Sequence, residues 1–116
     1  MVESYRDLKV WQRSIQMTLS IDRTTADFPK DELFRLTSQM RRAAVAIPSN
    51  IAEGYGRNSK GEYKQFLGIA RGSNLELQTQ LFSARELDYG KPETLTHAEE
   101  LSSEVAKMLN SLIAKL

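Results

Sequence analysis

The sequence is poor in the residues that interrupt or cross-link a fold. Its 116 residues include no cysteine, three prolines, six glycines and one histidine. Without cysteine the chain has no disulfide, no thiolate zinc site and no cysteine nucleophile. So few glycines and prolines leave little turn-forming material for a fold of many short strands. The lack of cysteine also fits a reducing compartment, and we expect the protein to be cytoplasmic.

Long apolar runs are missing as well. No stretch approaches the roughly 20 apolar residues that a membrane-spanning helix needs. We therefore expect no membrane segment. The opening residues, MVESYRDLKVW, contain no apolar core, so we do not expect them to be a signal peptide. Hydrophobic residues make up 41% of the chain and charged residues 27%, which is ordinary for a globular protein. We predict one domain, 1–116, because a chain of this length forms one hydrophobic core.

The sequence does have helical periodicity. Four segments repeat apolar residues at intervals of three and four, which places them on one face of an α-helix. The stripes lie within residues 8–26, 33–51, 63–84 and 95–116. The first helix is expected over 6–27, with its core stripe formed by Leu8, Trp11, Ile15, Leu19 and Ala26. The pattern predicts an all-α fold, an antiparallel up-down four-helix bundle with short connections.

Residues 46–62, AIPSNIAEGYGRNSKGE, place a proline inside the second helix. Pro48 cannot donate a backbone hydrogen bond to the carbonyl of Ala44. The apolar stripe nevertheless continues in phase across the proline. We therefore predict a helix kinked at Pro48, with Ser49 or Asn50 bonding the backbone groups that the proline frees.

Glycine, serine and proline mark the helix ends. Gly54 is expected to end the second helix in the left-handed conformation. Ser59 and Glu62 have the spacing of a capping box, which predicts the start of the third helix. Gly90 and Pro92 predict the end of the third helix and the start of the fourth.

Two helices carry a second apolar stripe. A helix at the edge of a lone bundle buries one face, so a second stripe indicates a subunit interface in a homo-oligomer. The alternative is that the first helix is covered twice within one chain. Gly68 and Gly72 each cost about 1 kcal/mol in a helix relative to alanine, so we expect a neighbouring group to pack closely against them. The predicted interface residues are Val10, Met17, Ile21, Phe28, Leu75, Phe82 and Tyr89.

Charge is uneven along the chain although the net charge is +1. Residues 1–34 carry a net charge of −1, residues 35–71 one of +5, and residues 72–116 one of −3. The basic middle could attract an anionic partner, or the three segments could attract one another. Lysine and arginine contact phosphates without reading bases, so we predict weak, sequence-tolerant binding of RNA or DNA. The predicted binding residues are Arg41, Arg42, Arg57, Lys60, Lys64 and Arg71. Against this prediction, only the aromatic residues Tyr55 and Tyr63 are placed to stack a base, and the sequence has no evident recognition helix or single-strand platform motif.

No pattern of catalytic or metal-binding residues is present. The single histidine, His97, has no cysteine or second histidine with which to bind a metal. Phosphate-binding glycine loops and GxSxG motifs are absent. Glu53 and Glu76 are the carboxylates nearest the positions marked by glycine and proline, and ion pairing with Arg42 or Arg71 is favoured over acid–base chemistry. We predict a protein that is not an enzyme and has no cofactor and no metal.

Several segments resemble a known family. Residues 43–54, AAVAIPSNIAEG, and 63–73, YKQFLGIARGS, together with DLKVW at 7–11, resemble the four-helix-bundle proteins found in intervening sequences of bacterial 23S rRNA genes. This resemblance covers nearly the whole chain and implies a left-handed bundle that assembles as a ring, with a pentamer expected. The chain also looks similar to the accessory variability determinant of diversity-generating retroelements, a barrel-like pentamer that binds nucleic acid and a reverse transcriptase. Tyr89-Gly90 departs from the bulky apolar residue expected there.

Two functions of different classes stay open at this point. One is an RNA- or DNA-binding protein that acts through the basic middle region. The other is a protein–protein scaffold or adaptor whose apolar stripes and charged surfaces bind proteins only. The expected partners are copies of the chain itself, with nucleic acid in the first case and another protein in the second.

Overall fold

Four α-helices form the fold, which the computed structural model describes for residues 2–116. They are α1 (Lys9–Thr25), α2 (Ser38–Tyr55), α3 (Lys60–Glu86) and α4 (Pro92–Lys115), and residues 2–116 contain no strand. Each helix contacts the next one in the chain, and α1 also contacts α4. The helices thus surround one core in a bundle of 43 × 23 × 20 Å. The predicted all-α class and the number of helices are confirmed.

Contacts between α3 and α4 follow a consistent order along the two helices. Arg71 of α3 donates a hydrogen bond to Asn110 of α4 at 3.2 Å. Further along α3, Arg85 forms a 2.7 Å ion pair with Glu99. The partner in α4 therefore moves toward the start of that helix as α3 advances, which is the order expected of antiparallel neighbours joined by a short connection.

Short irregular turns lead into α1 and α2. A 3₁₀ turn, Tyr5–Asp7, precedes α1, so the regular helix begins later than predicted. A second 3₁₀ turn, Lys30–Glu32, continues into a π-helical turn, Leu33–Thr37, before α2 starts. The side chain of Phe34 in this turn is 90% exposed.

The two apolar stripes of α1 differ from the prediction: Leu8 and Trp11 of the predicted core stripe are partly buried against the core, but the stripe predicted to be an interface is buried more deeply. Leu19, assigned to the core, is 47% exposed, whereas the residues assigned to a subunit interface are at most 7% exposed and lie in the core of the chain. The prediction of a subunit interface on α1 is therefore wrong. The misassigned residues are Val10, Met17, Ile21 and Phe28.

Buried hydroxyl groups explain why the burial of this face was missed. Ser14, Thr24 and Thr25 are buried on the same side of α1 as the core residues. Each donates its hydroxyl to a backbone carbonyl of the preceding turn, at 2.7–2.8 Å. A hydroxyl satisfied in this way can enter a core at low cost. A count of apolar residues alone therefore underestimates the buried face.

Helix α2 continues through Pro48, as predicted, and its bend stays a prediction. The carbonyl of Ala44, which lacks a helical donor because of the proline, accepts a hydrogen bond from the Thr18 hydroxyl of α1 at 3.2 Å. The side chains of Ser49 and Asn50 instead donate to the carbonyls of Val45 and Ala46, each at 2.7 Å. The compensating group thus comes from the neighbouring helix, and the prediction that Ser49 or Asn50 supplies it is wrong.

Gly54 serves the contact between α2 and α3 and does not end the helix. It is buried within the last turn of α2, and a Cβ atom there would lie 2.7 Å from the Cβ of Phe66. Gly54 does not have a positive φ, so the left-handed cap predicted at this residue is absent. A glycine is required here because Phe66 of α3 approaches the backbone of α2 closely. Ser59 accepts a hydrogen bond from the N–H of Glu62 at 3.2 Å, which confirms the predicted start of α3. Gly90, with φ +73°, makes the predicted turn before α4.

Candidate nucleic-acid interface

Three of the predicted binding residues meet at the turn between α2 and α3. Arg57 lies in this turn, Lys60 is the first residue of α3, and Lys64 follows one helical turn later. All three side chains are exposed. Lys60 and Lys64 form no ion pair with any other residue in the range 2–116. We call Arg57, Lys60 and Lys64 the turn cluster.

Arg57 is the one member of the turn cluster that the chain holds in place. Its guanidinium lies 3.6 Å from a carboxylate oxygen of Glu62. The same group sits over the ring of Phe66, with 4.7 Å between the guanidinium carbon and the ring centroid. These contacts orient the side chain, which is 44% exposed, while Glu62 offsets part of its charge.

The other three predicted residues lie away from the turn cluster. Arg71 is two helical turns beyond Lys64, about 10 Å along α3, and contacts α4 through Asn110. Arg41 and Arg42 lie near the start of α2, about 20 Å from its end. Arg41 is occupied between α1 and α2, with contacts to Thr25 at 3.0 Å and to Asp22 at 3.8 Å. The six predicted residues do not form one patch.

Aromatic side chains lie at the same end of the bundle as the turn cluster. The rings of Tyr55 and Tyr63 pack edge to face with centroids 6.1 Å apart. Burial, and secondarily the neighbouring Tyr55, raises the pKa of Tyr63 above its usual value. Tyr5 and Trp11 form a second edge-to-face pair at 5.1 Å, and the turn that contains Tyr5 contacts α2. Sequence reasoning missed this pair, because Tyr5 precedes α1 and no periodicity marks it.

The two ends of the bundle differ in charge. One end contains residues 2–13, 50–68 and 104–116, with eight basic and five acidic residues and a net charge of +3. The other end contains residues 20–42 and 78–100, with seven basic and nine acidic residues and a net charge of −2. We call the first the basic end, and the turn cluster belongs to it.

The outward face of α3 carries the exposed part of the predicted interface. Leu75 is 56% exposed and Phe82 65% exposed. Gly68 and Gly72 lie within about 80° of these residues around the helix. A Cβ atom at either glycine would meet nothing within 4 Å in this chain, so the expectation that the chain itself packs closely against them is wrong. We call Gly68, Gly72, Leu75 and Phe82 the α3 outer face.

Tyr89, the last predicted interface residue, is engaged within the chain. It is partly buried, its ring lies 5.5 Å from that of Phe28, and its hydroxyl donates a 2.8 Å hydrogen bond to Glu32. The hydrogen bond to Glu32, followed by burial, raises the pKa of Tyr89. Tyr89 therefore links the 3₁₀ turn Lys30–Glu32 to the connection between α3 and α4.

The residues considered for chemistry stand apart from one another. His97 is exposed, and no group of three or more His, Cys, Asp or Glu side chains within 2–116 is arranged to hold a metal ion. Glu53 and Glu76 are exposed and form no ion pair with Arg42 or Arg71, contrary to expectation. In the same described range, no helix combines the length and apolar character needed to cross a membrane.

Comparison with known proteins identifies the family. A crystal structure of a protein with unknown function, from the S23 ribosomal protein family of Bacteroides thetaiotaomicron, has a TM-score of 0.82 to this chain. The two are 23% identical over 90% of this chain and 95% of the other, so the similarity shows the fold alone. A search of curated proteins gives no match. The family described as 23S rRNA-intervening sequence protein matches residues 6–111, and the chain therefore belongs to this family.

Proposed function

We propose that the protein is a non-catalytic, cytoplasmic bundle that assembles with copies of itself and binds nucleic acid, RNA foremost. The observation that carries this proposal is the turn cluster, in which two exposed lysines lack an ion-pair partner among residues 2–116. Unpaired cations bind phosphates and release condensed counterions, which makes binding favourable at low salt.

The surroundings of the turn cluster favour contact with the nucleic-acid backbone over contact with bases. Tyr55 and Tyr63 pack against each other and are partly buried, which reduces the ring surface left for stacking. Binding through phosphates alone carries little sequence preference, so the expected affinity is low and depends steeply on salt.

The α3 outer face supports assembly. Two large apolar side chains and two glycines on one exposed helix face allow another helix to approach closely. Within this proposal the approaching helix belongs to a second copy, and the ring implied by the family resemblance, a pentamer as first expectation, would repeat the turn cluster around its axis. Such repetition turns a weak single site into measurable avidity.

The test of nucleic-acid binding is a salt titration with a fluorescent 20-nucleotide RNA of mixed sequence, followed by anisotropy. The variant Arg57→Gln/Lys60→Gln/Lys64→Gln should bind at least about tenfold more weakly, with a salt slope reduced by about 2 to 3. A matched control, Arg23→Gln/Lys30→Gln/Lys91→Gln, removes the same charge from the opposite end and should lose less. If the unmodified protein binds neither RNA nor duplex DNA at low salt, the proposal fails.

A second candidate function is that of a protein adaptor. The observation that favours it is an apolar groove between α1 and α4 that lysines surround. Retention of a protein partner after nuclease treatment would favour this function over nucleic-acid binding.

A further inference from the structure

A groove of about 350 Å³ lies between the start of α1 and the end of α4. Its apolar lining, the floor of the groove, is formed by Leu8, Val10, Met108 and Leu112, of which Val10 is buried and the other three are partly buried, and Ser111 also lines it. Lys9, Lys107 and Lys115 stand at its edges, and all three are exposed. These apolar side chains are left partly uncovered by the bundle and lie beside several positive charges, so the groove offers a partner both apolar contact and charge.

The three lysines are available to a partner. None of them forms an ion pair with the residues that the structure describes, 2–116. The nearest carboxylates in the sequence are already engaged. Asp7 accepts hydrogen bonds from the backbone N–H groups of Glu3 and Ser4 at 3.0 and 3.1 Å, and Glu104 pairs with Arg13 at 3.1 Å.

We infer that this groove binds an acidic amphipathic helix of a partner protein. Met108 and Leu112 lie one turn apart on the floor, while Lys107 and Lys115 lie two turns apart on one edge, about 12 Å along α4. A helix laid along the groove would place apolar side chains on that floor and carboxylates against the lysines, which is a common mode of peptide recognition. The inference gives the adaptor function its site and is independent of the turn cluster.

Other ligand classes fit the groove less well. A nucleic-acid backbone would satisfy the lysines but would leave the apolar floor without a partner. A small molecule requires a cleft that encloses most of its surface, whereas this groove is bordered by exposed side chains. A helix is long enough to cover the floor and to reach both edges.

The test uses a fluorescein-labelled synthetic helix of 18 residues with leucines on one face and glutamates beside them. We expect micromolar binding to the full chain, and at least tenfold weaker binding of a peptide with lysine for glutamate and of a scrambled peptide. The variant Lys107→Glu/Lys115→Glu should lose at least tenfold in affinity for the acidic helix. The matched control Lys60→Glu/Lys64→Glu, in the turn cluster, should keep it. Met108→Gln should weaken binding through the floor, and circular dichroism checks that each variant is folded.

Several outcomes would overturn the inference. It is wrong if the acidic helix does not bind, or if the basic and scrambled peptides bind equally well. It is also wrong if Lys107→Glu/Lys115→Glu abolishes RNA binding and spares the peptide, or if it lowers the oligomeric mass, because a second copy would then occupy the groove. We expect the turn-cluster variant to lose RNA binding and to keep peptide binding, because the two sites are separate. Failure of one proposal then does not affect the other.

Discussion

A single hydroxyl group on α1 compensates for the proline inside α2. Pro48 leaves the carbonyl of Ala44 without its helical donor, and the Thr18 hydroxyl, 3.2 Å away, donates to it. The same hydroxyl also lies 2.9 Å from the carbonyl of Ser14, so one proton is shared between two acceptors. The carbonyl that the proline frees in α2 thus obtains its hydrogen bond from the neighbouring helix. This hydrogen bond also favours one position of α1 against α2.

Removing this hydroxyl should destabilise the protein. Thr18→Val keeps the shape of the side chain but leaves a carbonyl beside Pro48 unsatisfied, which costs about 1–3 kcal/mol. Urea denaturation measures the loss in the free energy of unfolding. Thr79→Val is the matched control, because the Thr79 hydroxyl bonds to Leu75 on an exposed surface, and it should change stability by less than about 0.5 kcal/mol. Equal losses in the two variants would contradict the assignment.

Gly54 provides a second test at the scale of one residue. Gly54→Ala would place a Cβ atom 2.7 Å from the Cβ of Phe66, and forcing α2 and α3 apart should cost about 1–3 kcal/mol. Gly61→Ala, whose Cβ would have its nearest neighbour at 4.0 Å, should be neutral or stabilising by up to about 1 kcal/mol. Thermal denaturation of both variants decides the matter, and a stable Gly54→Ala protein would refute the close-approach role.

These residues show what a sequence can and cannot predict. The helix ends at Ser59 and Pro92 were predictable, because capping and proline geometry depend on a few neighbouring residues. The roles of Thr18 and Gly54 depend on which residue of another helix lies opposite. Helical periodicity gives the face of each helix but not that register, so neither role followed from the sequence.

At the scale of elements, buried polar contacts fix how the helices meet. Asn74 of α3 and Ser102 of α4 are both buried. The Asn74 amide donates to the Ser102 carbonyl at 3.0 Å, and the Ser102 hydroxyl donates back to the Asn74 side chain at 2.7 Å. A slip of either helix would leave these groups unpaired in the core, which is costly. The pair therefore selects one register for α3 against α4.

The contact between Tyr89 and Glu32 gives the protein a predicted dependence on alkaline pH. The pKa of Tyr89 is raised, chiefly by its hydrogen bond to Glu32, so the neutral phenol is favoured in the folded state. This stabilisation is fully present below the unfolded pKa of about 10 and is lost as pH rises through the higher folded pKa. The melting temperature should therefore fall above pH 10.

Two variants isolate this contribution. Tyr89→Phe should melt at a lower temperature than the unmodified protein at pH 8, and its melting temperature should fall less steeply between pH 10 and 11. Glu32→Gln keeps an acceptor but removes the charge, and should also flatten the fall. Identical slopes in all three proteins would show that Tyr89 does not carry the effect.

At the scale of the whole molecule, the surface divides into regions with different chemistry. The turn cluster is basic, the α3 outer face is apolar with two glycines, and the groove between α1 and α4 combines both characters. The sequence predicted the exposed Leu75 and Phe82, because a second stripe on α3 has no neighbour in the bundle. It could not show that Arg41 is occupied by Asp22 and Thr25, since that contact depends on how α1 and α2 pack.

Assembly through the α3 outer face is testable by mass. Phe82 is 65% exposed, so Phe82→Asp should leave the helical content unchanged while it lowers the oligomeric mass in light scattering at micromolar concentration. Phe34→Asp is the control, because Phe34 is 90% exposed and lies before α2, and it should keep the mass. Met17→Asp should instead unfold the protein, since Met17 is fully buried. An unmodified protein that is monomeric would contradict the assembly.

The affinity of Phe82→Asp for RNA, measured at equal protomer concentration and low salt, tests directly whether assembly multiplies a weak phosphate-binding site. Phe82 is far from the turn cluster along α3, about 27 Å from Lys64, so the substitution leaves the cluster itself intact. We expect the unmodified protein to bind the 20-nucleotide RNA and Phe82→Asp to bind it at least about tenfold more weakly. If a dissociated Phe82→Asp protein binds as tightly as the unmodified protein, assembly does not multiply the phosphate-binding site, and if neither binds, the site itself is absent.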